Sequence, residues 1–321
     1  MLHLLNYMKK VFCNQKHFFN QGFVNDLTII FSGYNIKWIA CLAIESFLQL
    51  YPKLRSNVLY FDDESTDNTC QELEKRGVRC ITWKYYKEDF LRFFDSDLCI
   101  DNHHAMCVRC LFIIKDILKQ CSSQYVLVSD GDVVFLKGGF LEYYCECFSN
   151  GAKVVAHLEC AKSPNIGGND NSKFMELIKH EDGFVRYPRI HFMHTALDVG
   201  YFKEIGLIGD GISQDILSAM TGHIADVGSD FYYEVKKRNI PSIFKDYKFI
   251  NGILHHWGWL SSSNRSSVYL NPNSARSHLT EIMDVLYGDK KGILNICQAV
   301  NIDPMDLIDS YCNTKSKGNI V

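Results

Sequence analysis

Between residues 27 and 83 short apolar runs alternate with amphipathic stretches, and little chain is left for connections. Leu27-Thr-Ile-Ile-Phe31 has the composition of a buried strand, and Ser32-Gly-Tyr-Asn35 breaks it. Residues 36–51 set Trp38, Ile39, Leu42, Ile44, Phe47 and Leu48 at helical spacing, and Pro52 is a stop signal. Val58-Leu-Tyr-Phe61 is a second strand, ending in Asp62-Asp-Glu-Ser-Thr-Asp67. Ser65 or Thr66 is placed to cap a helix over 68–76, which Gly77 ends. Residues 78–83 form a third strand. This order with short links predicts an α/β fold on a parallel sheet. Ligands of such sheets bind beyond the carboxyl ends of the strands. Ser32, Gly33, Tyr34, Asn35, Asp62 and Asp63 are therefore expected to line one crevice.

A fourth strand brings two acids to the same place. Tyr125-Val-Leu-Val128 is apolar, Ser129-Asp-Gly-Asp132 interrupts it, and residues 133–136 are apolar again. Two carboxylates one residue apart at a strand end are costly to bury unless a positive charge lies between them. A hard divalent cation bound by oxygen, and shared with substrate phosphates, is the usual occupant. Gly131 keeps the turn narrow enough for a bulky ligand to approach the backbone. A surface turn of loop-favouring aspartates has the same letters, so the rest of the chain must decide.

Composition narrows the classes. The 321 residues are 47% hydrophobic and 22% charged, an ordinary globular balance that allows one large domain or two small ones. A net charge of −3 argues against a general nucleic-acid binder but not against a local basic patch. No apolar run approaches the roughly 18 residues of a membrane span. The first eight residues, interrupted by His3 and Asn6, are too short for a secretory signal. A cytoplasmic location is expected, with the 13 cysteines reduced and serving as small core residues. Cys107-x-x-Cys110 lacks a partner pair at zinc-ligand spacing, since Cys145-x-Cys147 does not supply it. The sequon Asn264-Arg-Ser266 has no meaning without export.

The remaining stretches read as follows. Residues 1–25 form an aromatic, basic arm or cap. An amphipathic helix covers 102–119, with further helices over 143–149, 174–180, 199–206 and 230–239, the last capped by Ser229. Strands cover 153–157 and 191–197, and a flexible loop covers 163–171. His255-His-Trp-Gly-Trp259 lies in the apolar stretch 253–259. The chain turns polar after about residue 261, is helical over 278–300, and ends in a disordered tail over 314–321. This divides the chain into an arm (1–25), a main domain (26–262) and a helical extension (263–321).

Four blocks, in this order, resemble a glycosyltransferase of the GT-A fold, a Rossmann-like α/β fold with a mostly parallel sheet. The closest similarity is to the inverting family 2. The blocks are the strand and polar end at 27–35, Val58-Leu-Tyr-Phe-Asp-Asp-Glu-Ser-Thr-Asp-Asn-Thr69, the Asp130-Gly-Asp132 strand, and the stretch from Ala196 through Gly228-Ser-Asp230 to His255. The resemblance implies transfer of a sugar from a nucleoside-diphosphate sugar, a UDP-sugar by family habit, to a hydroxyl on a glycan, lipid-linked or protein acceptor. A nucleic-acid acceptor is not expected. An acceptor at a membrane would need peripheral docking by the arm or the C-terminal helix.

It also implies roles. Asp62 would accept a hydrogen bond from the base, in a pocket lined by Ser32, Gly33 and Tyr34. Asp130 would lie near ribose and metal, and Asp132 would bind Mn2+ or Mg2+. His255, or else His256, would complete the metal and phosphate site, and Arg109 would approach phosphate. Trp257 and Trp259 would stack on sugar or form a lid. Asp230 would be the base, yet the family has Glu-Asp where this chain has Ser229-Asp230. Asp210 and Asp215 are rival bases, and Asp230 is also simply an acid favoured by a helix start. A nucleotidyltransferase acting on a sugar phosphate, or a fold-retaining protein that binds without turnover, are the competing classes.

Overall fold

The computed structural model describes residues 21–62, 65–82, 117–118, 121–162, 178–179, 185–208, 227–245, 249, 252–256 and 292–308. The segments read as the 84–101 loop, nearly all of the 102–119 helix, the 163–171 loop and the disordered tail lie outside the described residues. So do Arg109, Asp210, Asp215, Trp257 and Trp259.

The elements follow in order. A short helix α1 (Gln21–Asn25) leads into β1 (Leu27–Gly33) and α2 (Lys37–Leu50). A 3-10 turn (Pro52–Asn57) precedes β2 (Val58–Asp62), α3 (Thr69–Lys75) and β3 (Arg79–Thr82). Next come β4 (Tyr125–Asp130), β5 (Val133–Phe135), α4 (Phe140–Ser149) and β6 (Val154–Lys162). Then β7 (Ile178–Lys179), β8 (Val185–Asp198), α5 (Val199–Glu204) and α6 (Val227–Lys237). Last are β9 (Ser242–Lys245), β10 (Leu254–His256) and α7 (Ile293–Ala299).

The main sheet runs β3-β2-β1-β4-β8-β6-β9, with β7 paired to β8. The first four strands are mutually parallel, as is the β6–β9 pair, whereas β8 runs antiparallel to both β4 and β6. The expected α/β class, with a mostly parallel sheet flanked by helices, is present. Strand alternation builds a core on each face. Ile29, Phe31, Leu127, Val155 and Ala196 pack on one side with α2 and α4, whereas Ile30, Val126, Val128, Val154 and Leu197 pack on the other with α5 and α6. Burial on both faces is why the central strands read as unbroken apolar runs.

The segment read as an arm ends inside the fold. Phe23 of α1 is buried against Tyr125 and Phe148, with ring centroids 4.9 and 6.1 Å away. At the other end, Ile293, Cys297, Ile302 and Leu307 join the core of α2 and α4.

Several local expectations are corrected. Residues 178–179, expected as helix, pair with Val185 and Arg186, because a hairpin partner outweighs a weak local period. The Ser229 cap fails because α6 begins at Val227, which puts Ser229 in its first turn. Nor is there one helix over 278–300: Gly292, at φ 66°, precedes a fresh start at Ile293. Helix α4 begins earlier than expected, where the Tyr51 hydroxyl accepts from Gly139 N at 2.8 Å and donates to Glu142. Among the described residues no helix is long and apolar enough to cross a membrane.

Candidate active site

The chain lays β2 and β3 on one side of β1, then returns with β4 on the other. The carboxyl ends of β1 and β4 thus flank a point where strand order reverses, the place where parallel sheets leave a crevice. Backbone register sets what meets there. Ser32 is paired with Asp130 across β1–β4, and Gly33 with Asp62 across β1–β2. Four of the residues singled out from sequence therefore stand on three neighbouring strand ends. Ser32, Asp62 and Asp132 are buried, at 4%, 2% and 4% exposure, whereas Tyr34 and Asp130 are half-buried.

The turn after β4 is held against β1. Gly131 N donates to the Ser32 carbonyl at 2.7 Å. A Cβ at residue 131 would lie 2.7 Å from that same oxygen. The glycine therefore serves a close approach of β1's own backbone.

The loop after β2 is tied to the loop after β1 by a set of side-chain hydrogen bonds. Asp62 Oδ2 accepts from Ser65 N at 3.0 Å, turning the chain out of the strand. Ser65 Oγ accepts from Asn35 N at 2.9 Å, and Asn35 Oδ1 accepts from Thr66 N at 2.7 Å. Asn35 has φ 51°, a left-handed conformation that asparagine tolerates better than most residues. Asp67 serves two helices: Oδ2 accepts from Lys37 N of α2 at 3.0 Å, and Oδ1 from Thr69 N of α3 at 3.1 Å. So neither Ser65 nor Thr66 caps α3. An aspartate two residues ahead of a helix was the available signal, but nothing local shows that it also reaches α2.

Asp67→Ala is expected to cost about 1–2 kcal/mol, because it leaves two helix-start donors without their acceptor. Asp67→Asn should recover part of this, since the amide oxygen still accepts. Urea unfolding of the three proteins measures it; equal stability of wild type and alanine variant would refute the double cap.

Beyond the Asp-Gly-Asp turn, β5 pairs with β10, which sets His256 opposite Val133 and His255 opposite Val134. Both histidines thus lie on a strand beside the residues that follow Asp132, and His255 is buried at 8% exposure. Asp230 lies in the first half of α6. Among the described residues no three His, Cys, Asp or Glu side chains converge into a metal cage. The donor set still fits Mg2+ or Mn2+. Such hard cations take one or two carboxylates and leave their other positions to water and substrate phosphate.

His194 was not anticipated. It is paired with Ser129, next to Asp130, at 0% exposure. Here β8 carries extra residues relative to β6: Ala156 pairs with Thr195, but His157 pairs with His191. Such irregularities re-aim side chains at strand ends. The ring sits among Phe135, Phe140 and Tyr144, with centroids 5.6, 5.2 and 5.7 Å away. Neither ring nitrogen has a hydrogen-bond partner among the described residues. Burial, then the nearby His157, pushes its pKa from 6.5 down to about 3.

The unfolded chain therefore binds a proton at His194 between pH 6.5 and about 3 that the folded chain does not. Unfolding free energy falls as pH drops through that window. His194→Phe should flatten this part of a stability-against-pH curve; an unchanged slope would show that the residue does not contribute.

No family model matches the chain, and no curated protein matches it. Solved structures do match. Core-mannan synthase A from Aspergillus fumigatus, in its Mn/GDP form, aligns over 72% of this chain and 74% of its own, at 8% identity and TM-score 0.46. The galactosyltransferase LgtC, in complex with donor and acceptor sugar analogues, aligns over 68% and 72%, at 13% identity and TM-score 0.44. The mannosyltransferase PcManGT from Pyrobaculum calidifontis, with GDP-Man and Mn2+, aligns over 98% and 82%, at 12% identity and TM-score 0.40.

Proposed function

We propose that this chain is a metal-dependent glycosyltransferase that moves a sugar from a nucleoside-diphosphate sugar to a hydroxyl acceptor. The observation that carries the proposal is the register at the reversal of strand order. It gathers Ser32, Gly33, Asp62 and Asp130 and tethers the Gly131-Asp132 turn to the same strand end.

Each residue has work suited to its chemistry. Ser32, Gly33 and Tyr34 would line the nucleotide pocket, and Asp62 would accept from the base, since each carboxylate oxygen offers two lone pairs. Asp132, with Asp130 beside it, would hold Mn2+ or Mg2+, and His255 or His256 would approach the phosphates. The cation, when bound, stabilises the charge that develops on the leaving diphosphate. A carboxylate takes the proton of the attacking hydroxyl. The family 2 resemblance assigns that role to Asp230, with inversion, and leaves Asp210 and Asp215 as rivals. The same resemblance favours a UDP-sugar.

A thermal-shift screen of the purified protein against UDP, GDP, CDP and TDP tests the proposal, each with Mn2+, with Mg2+ and with chelator. A ligand that binds the native state raises its apparent stability by mass action. A metal-dependent shift for one nucleotide is expected and identifies the donor class. Product analysis with the matching nucleotide sugar should then find free nucleoside diphosphate. Pyrophosphate released from a triphosphate would instead indicate nucleotidyl transfer. Binding without any product across a broad donor and acceptor panel would indicate a binding protein.

A further inference from the structure

Two thiols stand together at the end of the sheet where β3 is the outermost of the described strands. Cys70 lies in the first turn of α3 and Cys80 on β3, with Gly77 turning the chain between them. Cys80 Sγ is 3.7 Å from the Cys70 carbonyl oxygen, and Cys70 Sγ is 3.7 Å from Thr82 Oγ1. Each sulfur thus lies against the other's surroundings: Cys80 Sγ on the Cys70 backbone, and Cys70 Sγ on the residue two beyond Cys80 on β3. Both residues are half-buried, unlike Cys41, Cys147 and Cys297, which are buried. A small reagent can therefore reach the pair without unfolding the core.

We propose that Cys70 and Cys80 are a redox-active dithiol, a modification site that forms an intramolecular disulfide with a small-molecule disulfide such as oxidised glutathione. The two thiols differ in character: the neighbouring Cys80 lowers the pKa of Cys70, whereas Cys70 and burial raise that of Cys80. Thiolate character decides which sulfur attacks first. Cys70 attacks one sulfur of glutathione disulfide; a Cys70–glutathione bond forms and one glutathione leaves as thiolate. Cys80, giving up its proton, then attacks the Cys70 sulfur, and the second glutathione leaves. Two protein thiols have lost two electrons, one glutathione disulfide has gained them, and the two protons end on the two glutathione thiols.

The inference does not depend on sugar transfer. Thr82, which touches Cys70 Sγ, is the register partner of Asp62, so the pair lies beside the nucleotide crevice without belonging to it.

The test uses the full chain, equilibrated in glutathione buffers of graded oxidising strength, acid-quenched, alkylated and mapped by peptide mass spectrometry. A peptide linked through Cys70 and Cys80 should appear at a less oxidising poise than any other pair among the 13 cysteines. Cys80→Ser should stop at a glutathione adduct on Cys70, whereas Cys70→Ser should collect several-fold less adduct on Cys80. Thermal melting of both serine variants confirms that they are folded. The proposal is overturned if both thiols of the folded protein remain fully alkylatable in the most oxidising buffer. It is equally overturned if either one is found linked only to a different cysteine, or if the adduct forms on Cys80 and not on Cys70.

Discussion

Asp132→Ala is expected to lower sugar-transfer activity by roughly 100-fold or more, the scale of losing one electrostatic contact to a developing charge. The side chain is almost wholly buried, one residue beyond a turn that is hydrogen-bonded to β1. Among the described residues no third protein ligand stands ready to replace it. A cation with only one or two protein carboxylates loses much of its hold when one is removed. The nucleotide should then bind with the same strength in Mn2+ as in chelator. The fold should survive, because burying a carboxylate is itself costly and its removal offsets part of the lost packing. Asp132→Asn keeps the volume without the charge and should lose metal dependence to the same degree. Nucleotide affinity in Mn2+ equal to wild type, measured by titration calorimetry on either variant, would mean that Asp132 does not hold the metal.

Gly131→Ala is expected to be the more damaging change to the structure. The added Cβ meets backbone, not a yielding side chain: the Ser32 carbonyl at 2.7 Å. The same oxygen accepts the Gly131 N–H, so relieving the clash breaks a hydrogen bond and moves β4's end away from β1. Overpacking of this kind costs about 1–3 kcal/mol, and the lost hydrogen bond adds about 1 kcal/mol. Gly33 offers a contrast, because a Cβ there meets the ends of the Ile36 and Tyr60 side chains. Gly33→Ala should therefore cost less. Chemical denaturation of the two variants decides it; equal or reversed losses would show that the turn can slide outward without strain. Activity of Gly131→Ala should fall even at temperatures where it is folded, since Asp130 and Asp132 move with the turn.

Much of this architecture was legible because its signals are local. The β1 and β4 runs are apolar on both faces, and their polar ends announce where the sheet stops. The strand–helix alternation from residue 27 onward already implies parallel pairing, and with it a common end for Ser32, Asp62 and Asp130. What was not legible depends on contacts between segments distant in sequence. Asp67 looks like an ordinary loop acid until α2 is seen to share it. His194 lies in a strand whose pattern gives no hint of an aromatic surround, because Phe135, Phe140 and Tyr144 come from another part of the chain. The Ile178–Lys179 strand was misread because two residues carry no period of their own; their partner on β8 decides their state.

The spacing of the site's carboxylates is fixed by main-chain pairing: Ser32 with Asp130, Gly33 with Asp62, Gly131 with the Ser32 carbonyl. Main-chain pairing is indifferent to which apolar side chains fill the two faces, provided volume and alternation are kept. A lineage carrying this sheet can thus exchange nearly all its core residues while its acids stay in place. Divergence erodes the text of such a protein long before it erodes its geometry, and descent is then better read from strand order and register than from letters.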